Sequence, residues 1–132
     1  STVATGSNDN GVGAFAGSQV IAAGDTITFG NGVDIVRNFS ATDTIDATNA
    51  ATAPTSGLAA YDTDLTTGEG YVIYGTFVDA TGVFTAAAAF NASTAKDALY
   101  VEGDAGALNF ITTTGYVVLD DLTAALGTAN FV

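Results

Sequence analysis

The stretch Tyr71-Val72-Ile73-Tyr74-Gly75-Thr76-Phe77-Val78-Asp79-Ala80-Thr81-Gly82-Val83-Phe84-Thr85 decides the fold. Residues 71–78 are mostly β-branched or aromatic, and both alternating sets, Tyr71/Ile73/Phe77 and Val72/Tyr74/Val78, are apolar. A strand apolar on both faces is buried on both, so it sits mid-sheet beneath a cover layer or a neighbouring subunit. In Asp79-Ala80-Thr81-Gly82 the Asp can bond the backbone ahead of it and the Gly can take positive φ. Residues 71–78 and 83–89 therefore read as a hairpin.

Working outward, residues 25–29, 33–39, 98–101 and 116–119 are further short β-branched or aromatic runs bounded by Gly, Asn or Asp. The Ala-rich stretch 85–92 has no helix-capping signal, and its first half goes with the strand. Only 121–126 reads as helical, with Asp120 or Asp121 as cap and Gly127 as stop, room for one or two turns near the C-terminus. The expected fold is all-β, a β-sandwich or compact β-roll of about eight to ten short strands. Residues 41–67, rich in Ala, Thr, Ser and Asp with the single Pro54, read as a surface connection. Residues 1–17 form a flexible N-terminal segment, and 18–132 a single β domain.

Composition narrows the function. The chain has 132 residues, 2 basic against 14 acidic side chains and a net charge of −12. Phosphate binding needs clustered Lys and Arg, whereas Arg37 and Lys96 are all there is; nucleic acid and anionic membrane are excluded as partners. No apolar run approaches the roughly 20 residues of a membrane span. With no His and no Cys, Ser-His and Cys-His pairs, the usual zinc or copper sites and disulfides are absent. The chain is not read as an enzyme.

Carboxylates remain. Hard cations such as calcium take six to eight oxygens, and Asp34, Asn38, Asp43 and Asp46 could supply four of them. The competing reading is that each Asp caps a turn or lies on a solvated strand edge. Asp62, Asp64 and Glu69 lack the ligand ladder of an EF-hand. Asp120 with Asp121, or Asp62 with Asp64, could be nominated as a glycosidase pair, but adjacent acids on a strand point to opposite faces, and no Trp lines a sugar groove.

The phrase Asp25-Thr26-Ile27-Thr28-Phe29 through Asp43-Thr44-Ile45-Asp46 resembles the segment that follows or caps the calcium-binding β-rolls of repeats-in-toxin proteins. The closing run from Val117-Val118-Leu119-Asp120-Asp121-Leu122 to Ala129-Asn130-Phe131-Val132 looks like the C-terminal ends of bacterial type I-secreted surface proteins. The resemblance covers about a third of the chain and is to the part of those proteins outside the nonapeptide repeats; the glycine-rich calcium nonapeptide itself is absent. It implies secretion and an extracellular or cell-surface location. Together with the thin catalytic inventory, it leads to a secreted structural subunit whose partner is other copies of itself, in a surface layer or filament. The alternative is a calcium-stabilised adhesion or binding module at the C-terminal end of a larger type I-secreted protein, with a cell-surface polysaccharide as partner. In residues 11–17, small and apolar side chains alternate around Val12 and Phe15, which are the expected anchors if this segment adds as a strand to a neighbour's sheet.

Overall fold

A computed structural model describes residues 2–3, 23–29, 32–45, 55–56, 70–102 and 115–131. The protein is all-β: these residues form the strands β1 (Thr2–Val3), β2 (Thr26–Thr28), β3 (Asp34–Arg37), β4 (Thr55–Ser56), β5 (Gly70–Val78), β6 (Val83–Ala86), β7 (Asp97–Glu102) and β8 (Gly115–Asp120). All eight join one mixed sheet in the order β1-β2-β6-β5-β7-β8-β3, with β4 pairing beside β6 on the same side of β5.

The expected hairpin is the organising unit. β5 and β6 pair in register Phe77↔Phe84 and Val78↔Val83, and the turn closes with Gly82 at φ 64 and its N–H on the Asp79 carbonyl. Gly75 is required where β5 is crowded: an added Cβ would lie 2.1 Å from the Thr85 carbonyl oxygen and 2.7 Å from the Phe84 ring. Of the Ala-rich stretch 85–92, only Thr85 and Ala86 belong to the strand, which ends short of the expected 89.

Both sides of the sheet are apolar. On one face Ile27, Phe29, Ile73, Phe84, Leu99, Val101 and Val118 pack together; on the other lie Val72, Tyr74, Ala98, Tyr100 and Leu119. The cover layer over the second face is the chain itself: Phe39, Phe90, Leu122, Leu126 and Phe131 pack onto it. The Leu126 N–H donates to the Tyr74 hydroxyl at 2.9 Å, and the Leu122 N–H donates to the Lys96 carbonyl at 2.8 Å. Burial raises the pKa of the Tyr74 hydroxyl, and the Leu126 bond opposes that shift. Val78, grouped with the buried set in the sequence, is instead 47% exposed at the end of β5.

Residues 121–126 are not helical. Asp121 takes φ 62, and the amides of Leu122 and Leu126 bond to the sheet beneath instead of to their own segment. The only helical turn among the described residues is a 3-10 turn at Thr128–Asn130, and Gly127 stands before it, not after a helix. The buried Asn130 side chain then fastens this end of the chain to the loop after β3. Its Nδ2 donates to the Asp43 carbonyl at 2.8 Å and the Ala41 carbonyl at 3.3 Å, and its Oδ1 accepts from the Gly127 N–H. Ile45 N–H donates to the Asn130 carbonyl, and Ile45 bridges to Phe131.

Two strands have no sequence signal, because two residues carry no periodicity. β4 lies within the expected surface connection, and β1, within the expected flexible segment, pairs in parallel with β2 of its own chain.

Candidate functional site

Sheet topology gathers charge at one end. β5 and β8 both run antiparallel to β7, so their C-terminal ends flank the beginning of β7 at Asp97; β3 is parallel to β8, so Arg37 arrives in register with Asp120. Asp79 opens the adjoining hairpin turn, and Lys96 immediately precedes β7. Both basic side chains of the molecule are therefore at one corner, facing the carboxylates of Asp79, Asp97, Asp120 and Asp121.

Asp97, only 3% exposed, is the structural centre. Its Oδ2 accepts from the Phe77 N–H at 2.7 Å and its Oδ1 from the Asp121 N–H at 3.0 Å. One side chain thus continues the ladder to both neighbouring strands at the point where β7 begins. A buried carboxylate with two backbone donors is tolerated because hydrogen bonds replace its hydration.

Arg37 clamps two acids, with Nη1 2.5 Å from Asp120 Oδ2 and Nη2 2.6 Å from Asp79 Oδ2. Lys96 Nζ pairs with Asp121 Oδ1, and this hydrogen bond holds the lysine pKa above its ordinary value. Asp120 is pushed up, first by burial and then by the charges of Asp97 and Asp121, with Arg37 pulling the other way. One carboxylate oxygen from each of Asp97, Asp120 and Asp121 lies within 4.8 Å of the others. This all-oxygen group could hold a metal ion, which would enter in competition with Arg37 and Lys96.

The acids singled out in the sequence are placed differently. Asp34 starts β3 opposite Val117, and Asn38 follows its end. Four residues of extended chain put about 13 Å between their Cα atoms, beyond the span of two short side chains on one ion. The carboxylate of Asp43 turns back to accept the Ser40 N–H at 2.8 Å, the turn-capping role. Asp46 lies outside the described residues, as do Val12, Phe15, Asp62, Asp64 and Glu69. The opposite-faces reading of Asp120 and Asp121 is corrected: the left-handed backbone of Asp121 ends the strand alternation, so both carboxylates reach the same corner. Asp97 was missed altogether. Its only trace is its place directly after the sole lysine and before an apolar run.

No protein-family model, curated protein or solved structure matches this chain.

Proposed function

We propose that this chain is a secreted bacterial structural subunit that assembles with copies of itself at or beyond the cell surface, in a surface layer or filament. The carrying observation is the outer edge of β3, with which no strand among the described residues pairs. Such an edge is a template for another chain; proteins that stay monomeric blunt it with short length, charge, Pro or a bulge, and this four-residue strand carries charge only at its two ends, Asp34 and Arg37. Here it carries Val36, 42% exposed. The commitment of Arg37 and Lys96 to internal ion pairs leaves no basic patch for nucleic acid or anionic lipid, which further supports a protein partner. Secretion rests on the sequence resemblance. The test is sedimentation velocity over a concentration series, with electron microscopy of the same samples. Concentration-dependent sheets or filaments are expected, and a monomer at every concentration sinks the reading.

The carboxylates at the sheet corner favour a second reading, a calcium-stabilised binding module. All-oxygen donors suit calcium, and here the ion would sit on Asp97, Asp120 and Asp121. An ion bound only by the folded form stabilises it by about 2.7 kcal/mol at a hundredfold excess over Kd. Calcium should then raise the melting temperature over that in chelator, and Asp121→Asn should remove the difference. Identical melting curves with calcium and with chelator end this reading.

A further inference from the structure

We propose that two copies of the chain join β3 to β3 in antiparallel pairing across a two-fold axis at Val36. This deepens the self-assembly reading and rests on it. The Asn38 N–H donates to the Asp120 carbonyl at 3.2 Å. In a parallel pair, alternate residues address the neighbour, so Val36, like Asn38, bonds toward β8, whereas Ile35 and Arg37 turn their N–H and C=O groups outward. These are the groups a second strand must satisfy. With Val36 opposite Val36 of the second copy, Ile35 of each copy exchanges both bonds with Arg37 of the other, and every outward group of both strands is paired. Registers centred on Ile35 or Arg37 satisfy fewer of them.

Side chains agree with that register. Val36 lies on the face of its register partner Leu119, and no described residue covers it as the sheet core is covered. At the axis it meets its own twin in a non-hydrogen-bonded pair, where side chains approach most closely. Charge agrees as well. Copies with a net charge of −12 repel, but the two charged side chains of β3, Asp34 and Arg37, are of opposite sign. In this register Arg37 faces Ile35 of the second copy, so like charges do not stand opposite one another.

Because the chain has no cysteine, a single introduced thiol reports the joint. Val36→Cys should form a disulfide-linked dimer under mild oxidation about tenfold faster than Val78→Cys, a comparably exposed control at the end of β5. Val36→Lys should weaken self-association about tenfold in sedimentation while leaving the far-UV circular dichroism unchanged. Equal cross-linking of the two cysteine variants overturns the two-fold joint. So does disruption by Val36→Lys without cross-linking of Val36→Cys, which would mean that β3 receives a different strand. Assembly of the parent chain with Val36→Lys unaffected overturns this joint and leaves the assembly reading standing. A parent chain that is monomeric throughout overturns both.

Discussion

Where β3, β5 and β8 end, four carboxylates and two cations crowd one corner of the sheet; along the outer edge and in the loop beyond it, Asp34 and Asp43 stand exposed and apart. The acids are chemically identical, and their surroundings give them different work. Asp97 is buried and continues the ladder to two strands, so its oxygens replace water for the part-buried amides of Phe77 and Asp121. Asp43 makes a comparable bond to Ser40, but in a turn open to solvent, where water is a ready substitute. The contribution of a carboxylate therefore follows the burial of the donors it satisfies more than the number of acids nearby.

The strongest way to break this contrast is Asp97→Ala. It strands the Phe77 and Asp121 amides and should cost about 3 kcal/mol in urea denaturation. Asp97→Asn keeps the shape and one good acceptor, and should lose roughly half as much. A loss below about 0.5 kcal/mol for Asp97→Ala would put the two regions on the same footing.

The loop after β3 depends on something other than its acids. Asn130→Ala removes the bonds to the carbonyls of Ala41 and Asp43 and the acceptor for Gly127, and about 2 kcal/mol is expected. Asp43→Ala should cost about 0.5 to 1 kcal/mol, and Asp34→Asn less than about 0.5. If Asp43→Ala exceeds Asn130→Ala in the same denaturation series, the order of importance in this loop is reversed.

The smallest effect is one of pH. The folded-state pKa of Asp120 is raised, so in the window between its unfolded and folded values the native state binds more protons than the unfolded chain. Stability attributable to Asp120 therefore rises as pH falls through the raised value and levels off below the ordinary carboxylate range. Comparing the parent chain with Asp120→Asn across mildly acidic pH isolates this term. The parent should gain stability on acidification relative to the variant. The opposite slope would mean that Arg37 outweighs burial and the neighbouring acids at this corner.

Much of the architecture was legible in residues close to one another. The hairpin, its turn, the central position of β5 and four further strands follow from alternation and from the Asp and Gly of the turns. The short strands β1 and β4 were not legible, because two residues have no pattern. The helix expected at 121–126 failed for a tertiary reason: a sheet face already presented the Tyr74 hydroxyl and the Lys96 carbonyl as acceptors, and those bonds displaced a local helix. The candidate site was the least legible part. Asp34, Asn38 and Asp43 drew attention by being near one another in the chain, but an extended strand carries neighbours apart at about 3.3 Å per residue.

The amino-acid sequence by itself determined the all-β class, the β5–β6 hairpin, the two apolar faces and the shortage of cations, since each follows from composition or from side chains a few positions apart. Only the tertiary structure decided that Arg37, Asp79, Lys96, Asp97, Asp120 and Asp121 share a corner, that the C-terminal residues roof the second face, and that β3 is left at the edge. Those outcomes depend on which strands pair, in which direction and in what register. The parallel pairing of β3 with β8, between residues 83 apart at Arg37 and Asp120, is set by the packing of the whole sheet, with no local signal in either strand.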